Sequence, residues 1–143
     1  MKNKNLKFLN SLYQNTSMGI STLSKIIPKA KDLKLKGELQ AQLNNYHDQS
    51  EQIRKEIYAQ NSEPKDISAF TKTFADSSIA MSTLTNRSTS HIAEMMIQGT
   101  NMGVIDINKQ INHTPLLDEN IRKQAQDILT SEQQYIDNLK CYL

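Results

Sequence analysis

The sequence predicts an all-α protein, an up-down-up-down bundle of four helices that forms one domain over residues 1–143. Apolar residues recur at steps of three and four through most of the chain, which is the spacing of one helix face. There are four glycines and three prolines, too few turn residues for many short strands. Because the connections between the periodic segments are short, consecutive helices should run antiparallel.

The first helix is predicted to run from about Asn5 to Ile27. Pro28 ends it, because proline cannot donate a helical hydrogen bond and disfavours helix in the residue before it. Gly19 lies beside the inward face, where it would allow a close approach between helices. The predicted inward positions are Leu6, Leu9, Tyr13, Thr16, Ile20, Leu23 and Ile27.

The second helix is predicted to start near Ala30 or Asp32 and to continue to about Ala59. The sequence Asn61-Ser62-Glu63-Pro64 then breaks it, because it combines turn-forming residues with a proline. The predicted inward positions are Leu39, Leu43, Tyr46, Ser50, Ile53 and Ile57.

The third helical pattern is the longest, from a cap at Asp66 or Ser68 to about Ile111. One straight helix of that length would be ~65 Å long, against roughly 35 to 45 Å for its neighbours. We therefore expect a kink near residues 85–90, or a shorter helix over 67–85 before the main one, since Ser, Thr and Asn compete there for backbone hydrogen bonds. The predicted inward positions are Phe70, Phe74, Ser77, Met81, Leu84, Ser88, His91, Met95, Gln98, Met102 and Ile105.

The fourth helix follows a turn at residues 112–115 and is predicted to run from about Leu116 or Asp118 to Tyr142. Glu132 is the exception on its inward face, a carboxylate where Leu or Ile would be expected. The predicted inward positions are Ile121, Ala125, Ile128, Glu132, Tyr135, Leu139 and Tyr142.

Aligning the four helices at their midpoints brings polar side chains to the middle of the bundle. The predicted buried polar layer consists of Tyr13, Thr16, Tyr46, Ser50, Ser88, His91, Gln98, Glu132 and Tyr135. We interpret it as a hydrogen-bonded layer in which Glu132 pairs with His91 or with a tyrosine and fixes the register of the helices.

Helix bundles also place di-metal centres at this level, with a Glu from each of two helices and a Glu-x-x-His pair from each of the other two. This chain departs from that set, because Tyr135 stands where a His would be and Asn44 where a Glu would be, and the first helix supplies no carboxylate. The candidate metal ligands are Glu94, Glu132, His91 and His47. They would hold one Fe, Mn or Zn ion at most, so we expect no cofactor and keep a single metal ion as the alternative.

Composition argues against several classes of protein. A net charge of +2 does not indicate nucleic-acid binding, although residues 1–31 contain lysines and no acid. Cys141 is the sole cysteine, so no internal disulfide can form. No segment approaches the ~20 apolar residues that span a bilayer, and the N-terminus lacks a signal peptide, so we expect a cytoplasmic protein. Gly99 and Gly103 form a Gly-x-x-x-Gly that we interpret as close helix packing.

Several segments resemble a group of small uncharacterised proteins of the ferritin-like superfamily from spore-forming and related Gram-positive bacteria. They are Leu12–Asn15 with Met18-Gly19, Glu63–Ser68, Ser88–Gly99 and Glu132–Gln134. The resemblance implies a ferritin-like four-helix bundle, cytoplasmic and able to form a dimer, with no established activity. It carries the metal ligands of the superfamily over to Glu94 and Glu132, with His47 as a third candidate.

These features together predict a non-enzymatic ferritin-like bundle whose di-metal site is absent or degenerate. It would act as a structural or partner-binding module, as a homodimer or with another protein. One alternative is a metal-binding bundle with a redox or metal-sequestering role. The other is a spore-associated structural protein.

Overall fold

The computed structural model describes residues 2–65 and 85–143. Within these ranges the chain forms four α-helices and no strand, which confirms the predicted all-α class. The helices are α1 (Lys2–Ile26), α2 (Leu33–Ala59), α3 (Thr89–Asn112) and α4 (Glu119–Leu139). Short 3-10 turns at Ile27–Lys29 and Lys140–Tyr142 extend the ends of α1 and α4. None of these helices is both long and apolar enough to cross a membrane.

Two apolar clusters hold the helices together. The first contains Leu23, Ile26, Ala30, Leu35, Leu39, Tyr46, Ile92, Met96, Tyr135 and Leu139. The second contains Phe8, Leu9, Leu12, Ile53, Ile57, Ile107, Leu117, Ile121, Ala125 and Ile128. Each cluster draws on all four helices, α1 packs along α2, and α3 packs along α4.

The clusters also give the helix directions. From its start to its end, α1 runs from the second cluster to the first, α2 and α3 both run from the first to the second, and α4 returns to the first. The order is therefore up-down-down-up, and the predicted up-down-up-down alternation is wrong at the step from α2 to α3. Residues 60–88 separate these helices, a connection long enough to return the chain along the ~40 Å of α2.

Side-chain caps fix where α2 and α3 begin. The Asp32 side chain accepts a hydrogen bond from the Leu35 backbone N–H at 2.9 Å, and the Ser88 hydroxyl accepts one from the His91 backbone N–H at 3.2 Å. Residues 85–88 are not helical, so α3 starts afresh at Thr89. The predicted helix over 67–85, and the inward positions Phe70 to Leu84, lie outside the described residues.

The buried face of α3 is rotated about the helix axis relative to the predicted one, so the prediction is wrong here. Its buried residues are Ile92, Ala93, Met96, Thr100 and Ile107. Gln98 is exposed, and Met102 and Ile105, predicted to face inward, are 63% and 48% exposed. The prediction extended one three-and-four spacing from Phe70 through the segment before Ser88, whereas the helix that begins after that cap takes its own phase.

Candidate functional site

Glu132 is the one buried carboxylate among the described residues, with 3% of its surface exposed. It lies one turn after Ile128 and one turn before Tyr135 and Ile136, all on the buried face of α4. Three-and-four spacing therefore places it in the core, as predicted for its helix. An isolated charge in an apolar interior is highly unfavourable, so this side chain requires a partner.

The partner is Tyr46 of α2, whose phenolic O–H donates a hydrogen bond to Glu132 Oε2 at 2.9 Å. Gly19 of α1 makes room for the tyrosine ring: a Cβ at that position would lie 2.7 Å from Tyr46 Cε2, too close for two carbon atoms. The contact thus brings three helices together at one point. Any side chain at position 19 would push the ring from its place.

Burial raises the pKa of Glu132 from 4.5 to about 7, while the hydrogen bond from Tyr46 acts in the opposite direction. Burial and the neighbouring carboxylate also raise the pKa of Tyr46, which therefore remains a protonated donor at neutral pH. Glu132 consequently changes between its acid and carboxylate forms near pH 7. The site can take up or release a proton in the physiological range, which an exposed Glu does not do.

Two buried oxygens next to this hydrogen bond lack partners. Neither Glu132 Oε1 nor Tyr135 Oη makes a hydrogen bond within the described residues. A buried acceptor without a donor is unfavourable by about 1–3 kcal/mol, and more when the acceptor is charged. The Tyr46 hydrogen bond therefore satisfies Oε2 of Glu132 and leaves Oε1 without a donor within the described residues.

Along α4, Glu132 lies between the two apolar clusters, after Ile128 of the second and before Tyr135 of the first. Buried threonines occupy the same level on the remaining two helices, Thr16 on α1 and Thr100 on α3. The Thr16 hydroxyl donates to the Leu12 backbone oxygen at 3.0 Å and so is satisfied within its own helix. One residue before Glu132 on α4, Ser131 accepts a hydrogen bond from the Asn45 side chain of α2.

The residues predicted for the polar layer divide into three groups in the structure. Thr16, Tyr46, Glu132 and Tyr135 are buried, and Tyr13, Ser50 and His91 are half-buried. Ser88 and Gln98 are exposed, which corrects their assignment to the interior: Ser88 caps α3, and the Gln98 amide donates to Glu94 on the surface at 3.5 Å. The predicted His91–Glu132 pair is not among the contacts of Glu132, whose partner is one of the tyrosines.

The four candidate metal ligands differ in exposure. Glu132 is buried and His91 is half-buried, whereas His47 and Glu94 are exposed. The described residues contain no group of three His, Cys, Asp or Glu side chains close enough to share a metal ion. The exposure of Glu94 follows from the corrected phase of α3.

Sequence reasoning missed Thr100 and Asn15, which line a cavity beside the Tyr46–Glu132 pair. Thr100 was missed because the wrong phase of α3 turned it outward. Asn15 gave no signal, because a half-buried asparagine on an amphipathic helix resembles an ordinary surface residue.

Residues 4–113 match the family described as "Domain of unknown function (DUF2383)". The matched range contains α2, α3 and nearly all of α1, so Tyr46 lies inside it and Glu132 beyond it. No curated protein and no solved structure matches the chain. Since the matched residues make up well over half of the 143-residue chain, it belongs to the DUF2383 family.

Proposed function

We propose that this protein is a non-enzymatic ferritin-like bundle in which the Tyr46–Glu132 hydrogen bond occupies the place of a di-metal centre, and that it acts as a partner-binding module. One observation carries the proposal: the buried carboxylate is held by a phenol from α2, not by a second carboxylate or an imidazole. The parallel course of α2 and α3 supports the ferritin-like arrangement, since ferritin-like bundles contain one long crossover connection.

The electrostatics favour a structural role for the pair. Two divalent ions need several anionic ligands, and one buried carboxylate would leave most of their charge uncompensated. A single carboxylate that is neutral below pH 7 can instead be stabilised by one phenol. The exposed thiol of Cys141 suits the reducing conditions of the cytoplasm, where we place the protein.

Elemental analysis after soaking in Fe(II), Mn(II) or Zn(II) tests the proposal against a metal centre. We expect less than about a tenth of an equivalent of each metal, in the wild type and in Glu132→Leu alike. The Glu132→Leu variant should stay folded and be at least as stable as the wild type at pH 8, because the buried charge disappears. One equivalent of metal, lost on replacing Glu132, would reject the proposal.

The partner that we propose first is a second copy of the chain, through the exposed face of α3. Met102 and Ile105 are exposed there, and residues 98–108 contain one charged side chain, Asp106. In a two-fold symmetric dimer each patch meets its own copy, so a patch with little charge avoids like-charge repulsion.

Light scattering over a concentration series tests this face. We expect a dimer for the wild type and a monomer for Ile105→Lys, because the lysines would face each other across the two-fold axis. The control is Leu33→Lys, which changes an apolar side chain that is 82% exposed at the start of α2. Dissociation by the control, or a wild type that is monomeric at every concentration, would reject the dimer.

A further inference from the structure

A cavity of about 330 Å³ opens between α1 and α3 and reaches Tyr46 and Glu132 from α2 and α4. Its volume is at the small end of the roughly 300–1,000 Å³ typical of ligand pockets. A cavity of this volume fits a small organic molecule better than a bare ion.

Two glycines of α3 shape the opening. A Cβ at Gly103 would lie 3.2 Å from the Asn15 side chain, so α1 and α3 approach closely at that level. A Cβ at Gly99, one turn earlier, would have no neighbour within 4 Å. The predicted close packing at this Gly-x-x-x-Gly therefore applies to Gly103, whereas Gly99 borders open space.

The charged side chains described in the cavity lining all carry the same sign. Among the described residues, the lining contains two acids, Glu132 and Asp106, and no Lys, Arg or His. Four methionines supply much of the apolar wall: Met18, Met95, Met96 and Met102. Methionine side chains are flexible and polarisable, and they adapt to apolar groups of different shape.

The polar group of interest in the lining is the Glu132 carboxylate. Glu132 is 3% exposed and lines the cavity, and its Oε1 makes no hydrogen bond within the described residues. This atom is an acceptor, so its complement is a donor, and a positively charged donor gains most next to a carboxylate. Thr100 also lines the cavity, and a threonine hydroxyl can accept a second hydrogen bond.

We propose that this cavity binds a small organic amine, with its ammonium group against the Glu132 carboxylate and its apolar body among the methionines. A carboxylic acid would face two acids and no base. A neutral alcohol would gain the hydrogen bond without the charge attraction. The inference concerns a small molecule and does not involve a metal, and it shares Met102 and Asp106 with the face proposed for the dimer.

Proton exchange on Glu132 gives binding a characteristic pH dependence. Among the described residues, the titratable groups beside Glu132 are Tyr46 from α2 and Tyr135 within α4. Asp106 of α3 lines the same cavity, and the lining residues of α1 carry no charge. Neither tyrosine ionises near neutral pH, because burial raises the pKa of both phenols. An aliphatic amine remains protonated up to pH 8, so Glu132 controls the change.

The test is titration calorimetry with cyclohexylmethylamine, beside its neutral analogue cyclohexylmethanol, its anionic analogue cyclohexanecarboxylate, and ammonium chloride. We expect saturable binding of the amine at pH 8, at least tenfold tighter than the alcohol or ammonium, and no binding of the acid. At pH 6 the amine should bind about tenfold more weakly than at pH 8, as follows for a carboxyl group whose pKa is raised to about 7. No saturation by the amine up to 10 mM, or equal affinity for the alcohol, would overturn the proposal.

Glu132→Gln keeps the shape of the side chain and its acceptor for Tyr46 but removes the charge. We expect it to weaken amine binding at least tenfold at pH 8 and to abolish the pH dependence, with the helical circular dichroism unchanged. The matched control, Glu94→Gln, makes the same change at an exposed position of α3 outside the cavity and should bind like the wild type. Unchanged binding by Glu132→Gln, or equal weakening by the control, would overturn the proposal.

A second measurement needs no variant. In protein with ¹³C-labelled methionine methyl groups, the amine should shift the resonances of Met18, Met95, Met96 and Met102 with one common Kd. Resonances that do not move while calorimetry shows binding would place the amine elsewhere and overturn the assignment of the cavity.

Discussion

Replacing Glu132 by glutamine should remove a pH-dependent loss of stability that is specific to the wild type. The folded protein raises the pKa of this carboxyl group to about 7, whereas the unfolded chain returns it to about 4.5. Between these values the folded state binds more protons than the unfolded state, so the free energy of unfolding falls as pH rises from about 4.5 to 7. Above pH 7 both states are ionised and the loss is constant.

The size of the effect follows from the two pKa values. Each unit of difference corresponds to about 1.4 kcal/mol, so a shift from 4.5 to about 7 amounts to about 3 kcal/mol. Glutamine does not titrate. Relative to the wild type, Glu132→Gln should therefore gain about 3 kcal/mol between pH 4.5 and pH 8. For a domain of this size the gain corresponds to roughly 6–12 °C in Tm.

Urea unfolding followed by far-ultraviolet circular dichroism at pH 4.5, 6, 7 and 8 measures this difference. Comparing the variant with the wild type at each pH cancels the titration of every other group. Any constant offset from the new amide cancels when these differences are compared between pH values. Glu94→Gln, the same change on the surface, should run parallel to the wild type. If Glu132→Gln also runs parallel, within about 0.5 kcal/mol, the carboxyl group is not shifted by burial and the reasoning fails.

Two further pairs of variants test the surroundings of Glu132. Gly19→Ala should destabilise the protein by about 1–3 kcal/mol, because its methyl group would displace the buried Tyr46 ring. Gly37→Ala has open space around it and should stabilise α2 by about 0.5–1 kcal/mol. Thermal unfolding compares the two variants, and equal effects would show that the Tyr46 ring moves without cost. Tyr46→Phe should reduce the free energy of unfolding at pH 8 by about 1.5–3 kcal/mol and by less at pH 5, because a hydrogen bond to a charged acceptor is stronger. Tyr135→Phe removes a buried hydroxyl that has no partner within the described residues, so it should be neutral or stabilising by about 1 kcal/mol, and a loss of stability would reveal a partner.

How far the sequence predicts this structure depends on whether its spacing is interrupted. On α4 an unbroken three-and-four pattern runs from Ile121 to Leu139, and it predicted both the buried face and the position of Glu132 in it. On α3 the same method failed, because the spacing was carried across residues 85–88, which are not helical. A change of one or two residues in phase turns a helix by 100–200° (about 100° per residue), enough to bring Thr100 inside and put Gln98 outside.

The partner of Glu132 could not be chosen from periodicity, because spacing gives the face of one helix and not its axial alignment with another. Tyr46 and Glu132 are 86 residues apart, and Tyr135 and His91 were equally eligible. The one local signal was Gly19, a glycine beside the buried face of α1, and its meaning depends on the ring that fills the space it leaves. The helix order was lost for a related reason: spacing gives the buried face of each helix and not the end of the bundle at which the helix begins.

Fixing the axial register of the four helices does not by itself require a glutamate at position 132. A neutral Asn or Gln at position 132 could accept from Tyr46 without the loss of stability that an ionised carboxylate brings near pH 7. Glutamate also leaves Oε1 without a donor among the described residues, beside a cavity that all four helices line. Both features disfavour the empty protein, and both would be relieved by one bound cation, which would hold Glu132 in its carboxylate form and satisfy the free oxygen. A residue that only fixes the axial register of the helices needs neither feature. Measuring the free energy of unfolding at pH 8 with and without the amine therefore distinguishes a register-fixing residue from a binding site.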